Sequence, residues 1–465
     1  MRSVRRREDA VAAWAPYAPS PEQPWNLARV AHLHRRAGFQ APWSVLERDL
    51  AEGPEAAIDR LIHGEPTALD GQPAAQFERT MDLLSAESAA SGSLSRLQSA
   101  WIYRMILTPN PLRERMTRFW HGHFATSNTK VNNLKLIHRQ SALFRSHGMG
   151  DFRELLSEVG RDPAMLIFLD SPTNRKAHPN ENYAREVMEL FSLGRGNYSE
   201  QDVKEAARAF TGRFVQGDRF REVAAQHDGE IKQILGKEGV LNGETVVGIL
   251  VDQPACARFL AHKLYRLFIS EFDDPDPALL EPVASNLRAA NYRIQTTVEM
   301  ILRSRLFHDN ASQGRKLRSP VELAVGTVRA LEILDPCPSP ETLAAACTRM
   351  GEALYAPPNV AGWPGGTEWI NTASSLERAN LLLGLLSKSD DKLGRRLNPE
   401  ALAKRYSFAN PGDTRNFYTQ LLVEGPFQDG LRSAVERQAQ PDSQEDDRVR
   451  FDISLILTAP EYQLT

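Results

Sequence analysis

The sequence predicts a mainly α protein, one large multi-helix domain with short β-hairpin insertions near 213–245. Three observations carry that expectation. Apolar residues recur at helical spacing over most of the 465 residues, the pattern an amphipathic helix needs. Helix start signals recur with them. Asn110 precedes Pro111 in "NPLRERMTRFWHGHF", and Ser199 stands three residues before Asp202, giving an N-cap with proline at the first helical position and a capping box. Strand-like patterning is confined to the glycine-punctuated stretch 213–251, where "GRFVQGDRF" and "EIKQILGKEGV" read as one or two hairpins.

Taken in order, residues 1–24 read as an irregular extension rich in proline. Its basic start runs into Glu8 and Asp9 with no apolar stretch behind it, so neither Sec nor twin-arginine export is expected and a cytoplasmic location is. The main helical domain spans 25–387, with helices at 25–37, 54–62, 94–107, from 110, 253–269, 280–290, 319–333 and 374–387. A C-terminal helical segment, 388–465, follows with a helix at 412–423 and is expected to pack on the main domain. Linkers are expected at 334–342, 387–400 and 437–447. No apolar run approaches the roughly 20 residues of a membrane span.

Composition narrows the function classes. Net charge is −3, with Arg and Lys spread along the chain, so no nucleic-acid partner is expected. The three cysteines, Cys256, Cys337 and Cys347, form no CxxC pair, against a disulfide framework or a thiolate zinc site. Each reads as a small buried apolar residue. The motifs GxSxG, GxxxxGK[ST], HExxH and a helix-opening GxGxxG are all missing, which removes the usual support for the corresponding enzyme classes.

The most polar helical stretch is "PNENYAREVMELFSLG". At 100° per residue, Tyr183, Ala184, Val187, Met188, Leu190 and Phe191 fall on one half. Glu181, Asn182, Arg185, Glu186, Glu189 and Ser192 fall on the other, with Asn180 as N-cap. That face is either a solvated surface with i,i+4 pairs Glu181–Arg185 and Arg185–Glu189, or a cleft wall whose carboxylates bind a divalent cation or do acid–base work. In "FWHGHF", His123 lies on the apolar stripe and His121 on the opposite side, so the pair is a weak metal motif on a helix. His123 is then a satisfied core histidine or a group aimed at an internal site. The loop "PPNVAGWPGGTEWINT" carries Asn359, Trp363 and Trp369. Its tryptophans either plug the core or stack on a sugar or peptide.

Eight blocks in order, "HRRAGF", "MTRFWHGHFATS", "RDPAMLIFLD", "PNENYAREVMELFSLG", "DVKEAARAFTG", "FLAHKLYRLF", "SPVELAVGTVRAL" and "PPNVAGWPGG", resemble the large bacterial family catalogued as domain of unknown function 1800. The resemblance covers roughly 25–387 and is expected to run to the C-terminus. It implies a bacterial source and a companion protein of sulfatase- or phosphatase-like appearance, but no established activity. Many relatives carry export signals. The family pattern keeps the second histidine of "FWHGHF", here His123, while the first, His121, and also His178 vary. It is matched in full at Asn180, Glu181, Asn182, Arg185, Glu186 and Glu189.

From these residues the leading expectation is a hydrolase with a helical cleft. Glu186 or Glu189 acts as base or cation ligand, His123 as acid–base partner, Arg185 holds an anionic group, and Trp363 packs on substrate. Asn180, Glu181, Asn182, Asn359 and Trp369 are expected to bind. The rival is a non-catalytic binding or assembly protein for the companion, a carbohydrate or an anionic polymer. The third reading is a metal-dependent oxidoreductase.

Overall fold

The computed structural model describes residues 2–394, 397–438 and 445–465. Among them are twenty-five α-helices and two antiparallel hairpins, Arg213–Gln216 with Arg219–Glu222 and Lys232–Ile234 with Lys237–Gly239. The fold is mainly α, as the periodicity demands. Expected helices appear at Leu27–Ala37, Pro54–His63, Leu94–Leu107, Pro111–His123, Pro254–Phe268, Pro277–Ala289, Pro320–Ala330, Thr372–Leu386 and Pro411–Leu422. Asn110 caps the Pro111 helix by accepting from the Arg113 amide, and the Ser199–Asp202 capping box is complete. No described helix is long and apolar enough to cross a membrane.

The N-terminal expectation needs correcting. Residues Arg2–Ala13 form a helix rather than an irregular extension. The prolines that suggested disorder all follow Ala15, so they end this helix instead of forbidding it. Its Ala10 is buried, and the helix lies against Pro277–Ala289. Three linkers also prove shorter than expected, because Pro340–Arg349, Pro399–Arg405 and Glu445–Thr458 begin inside them. Residues 395–396 and 439–444 of those linkers lie outside the described ones.

Buried apolar side chains form two cores. The first gathers Met116, Trp120, Phe144, Phe152, Tyr183, Val187, Met188 and Phe191. The second joins Trp101, Leu323 and Val325 to Phe417, Tyr418, Ile453 and Tyr462, so the C-terminal helices share a core with the middle of the chain. Each large apolar side chain so buried contributes about 1.5–3 kcal/mol. The last residues are tied in as well. Lys316 and Thr465 exchange backbone hydrogen bonds, and the Arg318 amide donates to the Gln463 carbonyl.

The block "HRRAGF" turns out to be structural. His34 pairs with Asp49 at 2.7 Å, Arg35 pairs with Glu424 at 3.5 Å and donates to the Leu421 carbonyl, and Arg36 donates to the carbonyls of Phe268 and Ser312. All five side chains are buried. A second buried cluster centres on Glu322, which takes Arg115 at 2.9 Å, Lys316 at 3.0 Å and Arg118 at 3.3 Å. Arg118 also pairs with Glu352. These ion pairs cross-link helices far apart in the chain, and each partner is costly to bury alone.

Candidate functional site

The polar segment starts from a turn that asparagines hold together. Asp170 adopts a left-handed conformation after the Pro163–Phe168 helix, and Asn174 accepts from the Asn180 amide at 2.9 Å. Asn180 in turn donates to the Thr173 hydroxyl and accepts from the Asn182 amide, while Asn182 donates to Asp170 at 3.2 Å. Both expected binding asparagines therefore spend their side chains on the turn. The cap position itself falls to Glu181, whose side chain does not cap.

The helix that follows is not a uniform α-helix. Asn182–Glu186 is α-helical, but Val187–Ser192 is a π-helix. The Leu193 amide reaches back to the Met188 carbonyl, and the Ser192 hydroxyl to the Val187 carbonyl at 2.5 Å. The 100° wheel fails from Val187 onward because each turn holds an extra residue. Such π segments are frequent at functional sites.

The two glutamates on this segment have opposite environments. Glu189 accepts from Arg195 at 2.6 Å and from the Tyr198 hydroxyl at 2.8 Å, and these bonds hold its carboxyl below the usual carboxylate range. Glu186 is partly buried and makes no hydrogen bond or ion pair among the described residues; burial, then the charge of Glu189, push its carboxyl up. The Glu189 partnership also displaces the expected Arg185–Glu189 pair. Arg185 is instead held by Glu181 at 2.9 Å and by both oxygens of Glu200 at 2.8 Å, leaving it little capacity for an anionic ligand. Arg195, Tyr198 and Glu200 were not singled out from the sequence. Gly194 and Gly196, both at positive φ, turn the chain back so that these residues face the helix; the paired glycines around Arg195 were the available signal.

His123 stands on the core side of the same segment. Its Nε2 lies 3.0 Å from the Phe191 carbonyl, which can only accept, so Nε2 carries the proton. Nδ1 is buried without a partner. Burial, then the Lys263 charge, push the imidazole down to about 3. It is neutral at physiological pH, and no hydrogen bond or ion pair joins it to Glu186 or Glu189. What it does is hold a π-segment carbonyl. This corrects its expected role as acid–base partner.

The loop residues also separate from the carboxylates. Trp369 is buried, with its carbonyl accepting from the Ser374 hydroxyl, and so plugs the core. Asn359 is exposed and accepts from the Ala361 amide. Trp363 packs edge-on against His121 at 5.1 Å and lies over Gly122. Gly362 approaches Gly122 so closely that a Cβ would fall 2.3 Å from its carbonyl oxygen. The "HGH" block is therefore a docking point for the tryptophan loop. Among the described residues no group of three or more His, Cys, Asp or Glu side chains is arranged to hold a metal ion.

Tyr183 reaches inward from the same helix. Its ring packs edge-on against Phe210 at 4.9 Å, and its hydroxyl is buried without a partner beside Gly160. An unpartnered buried hydroxyl costs free energy. Tyr183→Phe is therefore expected to leave stability unchanged or raise it by up to about 1 kcal/mol, read from thermal melts. A loss of more than about 1 kcal/mol would mean that the hydroxyl has a partner after all.

With this geometry in hand, the chain can be assigned. This chain is a helical body with buried ion pairs at His34, Arg35 and Glu322 and one π-distorted polar segment. The family model described as "Protein of unknown function (DUF1800)" matches residues 32–464, and the chain belongs to that family. No curated protein and no solved structure matches it.

Proposed function

We propose that the chain is a hydrolase working by carboxylate acid–base catalysis, with Glu186 as proton donor and Glu189 as the ionised partner. The observation that supports this most is the opposite displacement of two carboxyls three residues apart, Glu186 at the end of the α-helical stretch and Glu189 in the π segment. Pairs of acids pushed apart by their surroundings mark proton donor and base in hydrolytic sites. Glu186 keeps its proton to higher pH and has no protein partner to give it to. Glu189 is kept charged by Arg195 and Tyr198, ready to orient or deprotonate water. Two carboxylates and no nucleophile motif suit glycosidic bonds best, and a carbohydrate substrate agrees with that chemistry. The binding-protein reading has no comparable observation in its favour, because the 181–189 face is not a buried network.

The test uses a panel of 4-nitrophenyl glycosides with the wild type, Glu186→Gln and Glu189→Gln. Each substitution should lower kcat/KM by about 10²–10⁴-fold on whichever glycoside is cleaved. Their melts should differ in sign. Glu186 has a raised folded pKa, so its contribution is favourable below the usual carboxylate range and is lost as pH rises through the folded value. At neutral pH Glu186→Gln should then be neutral or stabilising. Glu189→Gln gives up an exposed ion pair with Arg195, while its amide oxygen can still accept from the Tyr198 hydroxyl, so its melt should fall slightly. Hydrolysis that persists at the wild-type rate in both variants would rule out this pair as the catalytic machinery.

A further inference from the structure

One cavity has neither Glu186 nor Glu189 in its lining, and its charges do not balance internally. It has a volume of about 870 Å³ and is walled by the Leu134–His147 helix, the 158–163 turn and the first hairpin, with Glu78 and Asp82 at its edge. Most of its lining charges are already matched. Glu78 takes Arg113 and Arg104, Asp82 takes Arg104, Arg145 pairs with Glu114, and Arg161 pairs with Glu158 and Glu244. Two lining arginines remain without a carboxylate among the described residues. The Arg139 side chain donates only to the Asp218 backbone carbonyl at 2.6 Å, and the Arg219 side chain makes no hydrogen bond or ion pair among the described residues. Both arginines line the cavity, Arg139 from the Leu134–His147 helix and Arg219 from the start of the second hairpin strand.

The lining also carries apolar side chains, Ala142, Leu143, Pro163 and Phe220. Asp162, also in the wall, is buried and held by Gln140 at 2.7 Å and the Met165 amide at 2.9 Å. It is not ion-paired to either free arginine. A dianion matches two guanidinium groups, whose planar forks suit tetrahedral oxyanions, and the apolar wall suits a compact organic body. Burial, opposed by the hydrogen bonds from Met165 and Gln140 and the charge of Arg139, lifts the Asp162 carboxyl to about 6. A phosphate arriving nearby would meet an acid already inclined to be neutral.

We infer that this cavity binds a phosphate monoester with a small apolar organic group, gripped at the rim by Arg139 and Arg219. The site is independent of the Glu186–Glu189 pair and stands or falls separately from it. Phenyl phosphate serves as the probe, titrated calorimetrically against the full chain at low salt, beside inorganic phosphate and phenyl sulfate. Phenyl phosphate should bind at least about tenfold tighter than either, because only it supplies both the apolar ring and two charges. Arg139→Gln and Arg219→Gln should each weaken it by about tenfold or more, the worth of a charge-assisted hydrogen bond. Both side chains are exposed, so melts of the variants should match the wild type. Arg175→Gln, an exposed arginine stacked on Phe214 outside the cavity lining, should leave binding unchanged. Equal affinity for the three anions, or binding indifferent to both cavity substitutions, overturns the assignment.

Discussion

Glu322→Gln is expected to destabilise the fold by about 3–5 kcal/mol, the cost of removing one partner from a buried charge cluster. Glu322 is 5 % exposed and neutralises Arg115, Arg118 and Lys316, while its carboxylate also accepts from the Ser319 amide at the start of its own helix. A glutamine keeps the shape and the capping contact but removes the carboxylate that three largely buried cations share, leaving Glu352 beside Arg118. The surrounding arginines and lysine hold the Glu322 carboxyl well below the usual range against its burial. Glu114 and Glu424, buried beside Arg145 and Arg35, are held down to about 2. A depressed folded pKa gives stability that is full above the unfolded value of about 4.5 and is lost as pH falls through the folded value. Denaturant titrations should therefore show the wild type losing stability between about pH 4.5 and 2, and Glu322→Gln weaker at pH 7. A loss under about 1 kcal/mol for the variant would place this cluster with ordinary surface pairs.

Gly362→Ala should cost about 3 kcal/mol or more, the sum of a left-handed alanine and a steric clash. Gly362 has φ 87° and a Cβ there would meet the Gly122 carbonyl oxygen at 2.3 Å. That oxygen is part of the Pro111–His123 helix backbone, so the loop has to move, and Trp363 moves with it off His121. Gly196→Ala separates the two contributions, since Gly196 has φ 81° but nothing within 4 Å of a Cβ. It should cost only the conformational part, about 1–2 kcal/mol. Chemical denaturation gives both numbers, and a shift in tryptophan emission should accompany Gly362→Ala alone. Equal losses for the two glycines would mean that the loop–helix approach carries no steric constraint.

The sequence by itself determined the local part of this protein. Helix periodicity, the Asn110 cap and the Ser199–Asp202 box depend on residues three or four apart, and those contacts form whatever the rest of the chain does. The hairpins could be read for the same reason, from glycine-bounded alternation over a few residues. The family blocks could be read as blocks, but not for what they do. In a string of letters a buried arginine looks like a surface one, because its partner lies far away: Arg35 bonds to Leu421 and Arg115 to Glu322.

Only the tertiary structure decided the candidate site. Asn180, Asn182 and Arg185 look like ligand groups in a line of sequence, yet the turn at 170–182 and the side chain of Glu200 claim them. His123 shares a segment with the glutamates but faces the core, because the Phe191 carbonyl of a π-helix needs its proton. Glu186 and Glu189 are chemically identical in sequence. They differ in the fold because the 194–198 turn brings Arg195 and Tyr198 to one carboxylate and leaves the other half-buried without a partner. A carboxyl group's charge state is set by which groups come within a few ångströms of it through space, and that is information the order of residues holds only once the chain has folded.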